Sequence, residues 1–544
     1  LKGLKKGLKN GFKTGMLIFL ALTFLLAACS SNKESGSTPQ PSDSTTKPEQ
    51  TGEGKGDTPK GEKIKLNWLV PSQPNTNLPD PNKDFVKKMI EEKFNVELKL
   101  DYMIAGQDFI NKTNLLLAST PPDMWRDGTP DGGNQYALDG LLADLTPFVT
   151  PETMPNYYKY WTTEKELKAY QVQNKFFRAP VPFDRNIYRT YYIRKDWLDN
   201  LKLEVPTSYD EYVDVLRKFR NDDPDGNKKK DTYGFTTAGG GATIGLDWPE
   251  YIHQGLTFPR KIENNQYVDM QTDARVEQVI DDITKRIAED LIDPDWFLNK
   301  APQHIEKAIQ GKAGVILGST ANFALDSNPQ GIEVRTKQLY PNANWVPMNI
   351  FPDSPMAVKP SPAGPFLFAK QVAEKDPEKV KRSIEILDWL ASEEGYLLTH
   401  YGVEGQHYTR EGSTIKLNVD AFTTDVIKQG DFLQIWQFFT PFEAPQIFNL
   451  SVLDPRQTDR DRDILQFFLK TKLNENEGVS FIPPQGFDLA GFRKRQSELQ
   501  VKAILEDKSG KNWPQYREEL MTKYKGNDLF GAYTEILRAA GAIK

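Results

Sequence analysis

The chain has 544 residues and a mass of 61.9 kDa. At roughly 100–200 residues per domain, that is two or three domains with ample core. A hydrophobic share of 38% and a mean hydropathy of −0.59 exclude a polytopic membrane protein, and 69 Lys+Arg against 75 Asp+Glu exclude the basic footprint a nucleic-acid binder needs. One cysteine rules out a disulfide framework or a Cys-rich metal site, and four histidines leave little material for His-based chemistry.

Lys2, Lys5, Lys6, Lys9 and Lys13 form a basic front without an acid, and Met16 to Leu26 is nearly all apolar. That run is too short to span about 30 Å of hydrocarbon comfortably, and it fits the apolar region of a secretory signal. It ends in Leu26-Ala27-Ala28-Cys29, which resembles a bacterial lipobox. The expectation is a signal peptide over 1–28, cleavage before Cys29, and a diacylglyceryl group on its thiol. Two acyl chains anchor stably where one is marginal. The alternative is ordinary signal cleavage with Cys29 incidental. Residues 30–60 contain no Ile, Leu, Val, Met or aromatic residue. Such a stretch cannot offset its chain entropy by burial, so residues 29–61 read as a lipidated tether and 62–544 as the folded body.

In the body, 64–71 (IKLNWLVP) alternates as a strand, 84–94 carries a helical apolar face, and 95–104 alternates again. This βαβ opening argues for an α/β protein with crossover helices. A helix over 206–220 is capped by Thr207 or Ser208, with Asp210 or Glu211 three residues on. Helices are expected over 276–292 and 377–392, a short buried strand over 312–318, and a further helix from Ser392 that ends at Gly402.

Several segments together resemble family 1 of the extracellular solute-binding proteins, in particular the long lipoprotein branch serving oligosaccharide ABC importers. They are NLLLASTPPDMW (114–125), GLLADLTPFV (140–149), YYIRKDWLDNLKLEVPTSYDEY (191–212), DPDGNKKKDTYGF (223–235), IQGKAGV (309–315) and LDWLASEEGYLLTHYGVEGQHY (387–408). The resemblance implies a type II periplasmic-binding-protein fold: two discontinuous α/β lobes with a ligand cleft between them. It further implies a monomer without enzymatic activity, held at the extracytoplasmic face of the cell membrane by its lipid. Its partners would be an oligosaccharide and the permease subunits of an ABC transporter.

Asp223, Asp225, Asn227 and Asp231 place oxygen side chains at positions 1, 3, 5 and 9 of a loop, with the carbonyl of Lys229 available at position 7. That is calcium-loop spacing. Position 6, usually Gly, is Lys228, and position 12 is Gly234 instead of Glu. Members of the resembled family bind calcium in such a loop, so a structural Ca²⁺ is expected. For the sugar, aromatic faces and polar groups on loops after strands are the candidates: Trp68, Trp125 beside Asp123, Trp248 beside Asp247, and Trp345, with Glu404 and His407 as further polar groups.

The glycine-rich AGGGATIG (238–245) lacks the Gly-Lys-Ser/Thr ending of a phosphate loop, and the chain has neither HExxH nor GxSxG. A glycosidase needs only two carboxylates, so a lipid-anchored glycosidase stays open, as does a calcium-dependent surface carbohydrate-adhesion module.

Overall fold

The computed structural model describes residues 62–544 apart from 130–131, 163–166, 168–170, 174, 179–189, 246, 257–259, 319–320, 355–363, 441–444 and 472–480. The signal, Cys29 and tether readings therefore lie outside the described residues. Among those residues no helix is long and apolar enough to cross a membrane.

Two four-stranded sheets organise the body. Strands β1 (Ile64–Ser72), β2 (Val96–Ile104) and β3 (Met124–Arg126) run parallel. The second sheet is built from β4 (Thr190–Arg194), β5 (Tyr233–Phe235), β8 (Ala313–Gly318) and β9 (Trp345–Met348), in the order β5-β8-β4-β9. Between β5 and β8 in sequence lies a hairpin of β6 (Arg260–Glu263) and β7 (Gln266–Asp269). β10 (Phe366–Phe368) then returns to the first sheet, antiparallel to β3, giving the order β10-β3-β1-β2. A small sheet of β11 (Tyr408–Glu411), β12 (Thr414–Leu417) and β13 (Ser451–Leu453) joins the same lobe.

Side chains alternate faces along a strand, and the cores follow that period. On β1, Leu66, Trp68 and Val70 enter one core with Met124 of β3 and Phe366 and Phe368 of β10, while Leu69, Trp125 and Leu367 fill the opposite face. On β4, Tyr191 and Ile193 point into the main core of the second lobe and Tyr192 into the layer beyond it. Both faces of each of these mixed sheets are covered, as in α/β folds with helices on either side. The main core of the N-terminal lobe reaches from Leu66 to Leu450, that of the C-terminal lobe from Tyr191 to Tyr533. The lobes are therefore discontinuous: the chain crosses between them between Arg178 and Thr190, between Ile350 and Gly364, and between Leu453 and the helix Asp459–Lys470. Phe481 packs on the main C-lobe core, while its neighbour Ile482 packs on the second core of the N-lobe.

Most elements start where the sequence says. Ser208 caps the helix Tyr209–Asn221 by accepting from the backbone of Glu211, whose carboxylate returns to the backbone and hydroxyl of Thr207 at 2.8 and 3.0 Å. Ser392 caps Glu393–Tyr401 in the same way.

Candidate functional site

The strand directions position the cleft. β1, β2 and β3 end at Ser72, Ile104 and Arg126, and β10 begins beside Arg126. In the other lobe β5 and β8 end at Phe235 and Gly318; β4 begins opposite Gly318, and β9 ends at Met348, opposite Tyr191. The first crossing thus enters the second sheet at its carboxyl edge, and the second leaves that edge at Met348 to arrive at the carboxyl edge of the first sheet. The first two crossings therefore join the two sheets at their carboxyl edges, and in open α/β sheets that is where ligands bind.

The N-lobe wall follows β3. Arg126 Nε donates to Gly364 O at 3.1 Å, and its guanidinium lies 4.6 Å from the Phe438 ring centroid. Gly364 must be glycine: its φ is +69° and a Cβ would fall 2.6 Å from Arg126 Nε. Asp127 takes the backbone N–H of Thr129 and its hydroxyl, the latter at 2.5 Å, which fixes the turn leading to the helix Asn134–Leu138.

The C-lobe wall follows β5. Thr236 donates to Asp293 at 2.8 Å and Thr237 to Asp247 at 2.9 Å. Asn299 bridges Asp293 and the carbonyl of Thr237, and Lys307 reaches Asp293 and Asp295. The Tyr191 hydroxyl holds the backbone of Asp247 at 2.8 Å. Beneath this wall Trp248 donates to Ile244 O at 2.6 Å and packs edge-on against Trp296, 5.1 Å between centroids. The glycine-rich stretch forms the adjoining loop, where Gly239 is wedged between the carbonyls of Phe297 and Thr243.

Asp247 is the candidate that reaches this edge in accessible form, with Trp248 buried directly behind it. The other aromatics are not on loops after strands. Trp68 sits inside β1, fully buried, and donates to Ser383 at 3.1 Å. Trp125 is buried within β3 among Leu69, Ala137 and Leu367. Trp345 opens β9 at the opposite edge of its sheet and donates to Thr336 at 3.0 Å. Burying an indole removes so much apolar surface from water that the core claims it unless the site spends other energy to keep it exposed. Asp123 precedes β3, at the amino edge, where Lys379 pairs with it at 3.0 Å. His407 is enclosed by Phe85 and Phe422 and accepts the N–H of Val403 at 2.9 Å. Burial pushes its imidazole below the ordinary range. Glu404 stays exposed at the turn before β11.

Sequence reasoning passed over Arg126, Asp127, Thr237 and His304, all at the carboxyl edges. For Arg126, Asp127 and Thr237 the signal that finds them is position, at or just after the end of a buried strand; His304 lies in the first turn of a helix and carries no such mark.

The calcium-loop residues do converge. Asn227 donates to Asp225 at 2.8 Å and to Asp231 at 3.0 Å, while Asp223 accepts from the backbone of Lys228 at 2.9 Å. Asp223 Oδ1 is buried without a hydrogen-bond partner, and Asp225 is pushed above the usual carboxylate range, first by burial and then by Asp223 and Asp231. Lys228 adopts φ +63°, the left-handed conformation for which calcium loops use glycine. Lys229 donates its N–H to Asn227 Oδ1 at 2.7 Å, and Lys312 holds Asp231 at 3.0 Å. Among the described residues no three His, Cys, Asp or Glu side chains stand arranged as a metal cage. The fit is partial: turning the Asn227 amide over presents its oxygen where its nitrogen now stands, between two carboxylates.

The model of the bacterial extracellular solute-binding protein family matches residues 86–405. The polygalacturonan/rhamnogalacturonan-binding protein YtcQ of Bacillus subtilis is 25% identical over 387 residues, 64% of this chain and 67% of its own. Lipoprotein LipO of the same organism is 25% identical over 376 residues, again 64% of this chain and 67% of its own. The fructooligosaccharide ABC-transporter substrate-binding protein FusA of Streptococcus pneumoniae is 26% identical over 237 residues, 41% of each chain. FusA in complex with kestose superposes with a TM-score of 0.62 at 16% identity, covering 88% of this chain and 99% of that one, and an EF-hand mutant of FusA has the same fold. Two α/β lobes joined at their carboxyl edges and a family match over more than half the chain lead to one conclusion: this chain belongs to the bacterial extracellular solute-binding protein family.

Proposed function

We propose that this protein captures an oligosaccharide between its lobes and delivers it to an ABC importer, without cleaving it. The observation that supports this reading is that the crossings join the two sheets at their carboxyl edges, in a solute-binding family with relatives named for polygalacturonan/rhamnogalacturonan and for fructooligosaccharide. Hinge closure of the lobes is the switching motion. A thermal-shift screen of the body from Gly61 onward, against fructo-oligosaccharides and oligogalacturonides, tests it. A sugar at 100 times its Kd stabilises the fold by about 2.7 kcal/mol. Absence of any shift, or steady release of shorter sugars, overturns the reading.

Cys29 anchors the body to the extracytoplasmic face of the membrane through its lipid. The lipobox-like Leu26-Ala27-Ala28-Cys29 supports this, as does the likeness to a lipoprotein. Cys29→Ser is expected to appear in the soluble fraction, and unchanged membrane retention of that variant removes the anchor. Asp223, Asp225, Asn227 and Asp231, with the carbonyl of Lys229, would hold a structural Ca²⁺ that braces the end of the helix Tyr209–Asn221.

A further inference from the structure

The glycine-rich stretch that matches no phosphate loop forms one side of a groove. Its tip, Gly240 and Gly241, adopts φ +62° and +74°, and a Cβ at either position would meet nothing within 4 Å. The tip is held in place: the N–H groups of Gly239, Gly240 and Gly241 donate to the carbonyls of Trp296, Asn299 and Phe297 at 2.9, 2.9 and 2.7 Å. The facing side is the helix Leu489–Lys502, which follows the segment where Ile482 packs on the N-lobe and Phe487 on the C-lobe. Residues four apart share a helix face, so Lys494, Glu498 and Lys502 form one row and Arg493, Ser497 and Val501 the next. Both rows, with Phe297 and the glycine tip, line a groove of about 720 Å³. That volume lies in the range of small-molecule sites.

We propose that this groove is a second carbohydrate-binding site of the C-terminal lobe, and that it takes a carboxylate-bearing glycosyl unit. This rests on the oligosaccharide reading above and extends it. Four cations line the groove, Arg493, Lys494, Arg495 and Lys502, against two carboxylates, Glu498 and Glu506. Three of the cations are positioned by acids of their own: Arg493 by Asp269 at 2.6 Å, Arg495 by Glu519 at 2.9 Å and Lys502 by Asp507 at 2.7 Å. Lys494 is exposed and has no partner among the described residues. The remaining contact of Arg495, from Nη1 to Glu498 at 3.1 Å, joins two partly exposed side chains three residues apart. Such a pair contributes little, so a ligand carboxylate displaces Glu498 from Arg495 at small cost. Phe297 and Val501 supply the apolar surface that sugar C–H groups pack on. The exposed carbonyls of Gly240 and Gly241, to which no described residue donates, are open to hydroxyl donors.

The test is calorimetric titration of the purified protein with oligogalacturonides and with the same chains carboxyl-reduced to neutral sugars, for the wild type, Lys494→Glu and Ser497→Trp. The wild type is expected to bind the acidic series about tenfold more tightly, a preference that added salt weakens. Lys494→Glu, at an exposed position, should abolish the preference. Ser497→Trp, which fills the groove without changing its charge, should weaken the acidic series to a similar extent. Amide resonances of Gly240 and Gly241 should move when oligogalacturonide saturates the wild type and stay in place in Ser497→Trp. Equal affinity of the wild type for the two series, an unchanged preference in Lys494→Glu, or unmoved glycine amides overturns this inference. A wild type that binds fructo-oligosaccharides but no oligogalacturonide overturns it alone and leaves the sugar reading standing. A wild type that binds none of the three series removes the sugar reading and this inference with it.

Discussion

Glu250 is 1% exposed, and one of its carboxylate oxygens takes the Tyr209 hydroxyl at 3.1 Å while the other has no partner. Burial pushes its pKa up to about 7, against the opposing pull of Tyr209 and Arg286. An acid whose folded pKa is raised binds its proton more tightly when folded. Its stabilising contribution is complete below its ordinary pKa of 4.5 and disappears as pH rises through about 7. Glu250→Gln has no such dependence. Urea unfolding across this window should show the variant gaining on the wild type by about 3 kcal/mol from the acid end to the alkaline end. A pH-independent difference between the two proteins would show that Glu250 is ionised in the fold. This carboxylate was not legible in the sequence, because nothing around Trp248-Pro249-Glu250 marks it as enclosed. Burial of one acid among 75 Asp+Glu is a tertiary fact. The tryptophans failed in the opposite sense: their chemistry suits a sugar, but Trp68, Trp125 and Trp345 are where sheet packing needs volume.

At the scale of elements the sequence was far more readable. The expected strand 64–71 is Ile64–Ser72, the expected helix 206–220 is Tyr209–Asn221, and the expected strand 312–318 is Ala313–Gly318. These follow from local rules of period and capping. The helix Asp459–Lys470 was not identified, although Thr458 and Asp461 form a reciprocal capping box. Asp461 does more than cap: it also accepts the N–H groups of Asp326 and Ser327 at 2.6 and 3.0 Å, pinning the helix to the C-lobe directly after the third crossing. Asp461→Ala strands these donors in a buried site and should cost about 2–4 kcal/mol, read as a lowered urea midpoint. A loss below about 0.5 kcal/mol would mean that water replaces the carboxylate. In the calcium loop, calorimetry at millimolar Ca²⁺ should register binding that Asp225→Ala abolishes, while Lys229→Ala, which leaves the carbonyl in place, is nearly silent. At an affinity of about 10⁻⁴–10⁻³ M, chelation lowers the melting temperature only modestly. A wild type that takes up no heat with calcium would leave the segment as a turn held by Asn227 and Lys312.

At the scale of the molecule, the three crossings predict a bending motion that closes the carboxyl edges on the ligand. Small-angle scattering should show a smaller radius of gyration when a binding oligosaccharide is added, and identical curves with and without it would argue against hinge closure. The βαβ opening made an α/β fold legible, whereas the division into two lobes came only from the family resemblance, and no local pattern gave their extent. Which strands share a sheet depends on pairings such as β10 with β3, which no local pattern encodes.

That pairing also governs how the protein is made. The first sheet opens at Ile64, yet its edge strand is Phe366–Phe368, and its core still awaits Leu433, Trp436 and Leu450. The indole of Trp68 finds its hydrogen-bond partner at Ser383, 315 residues downstream. No amino-terminal portion of the nascent chain can close its own lobe. Such remote pairings slow folding, because loop-closure entropy is spent before contacts return it. Most of the polypeptide must therefore emerge before either lobe is whole. That keeps the growing chain loose and extended, and it defers the cleft until almost the last segment has arrived.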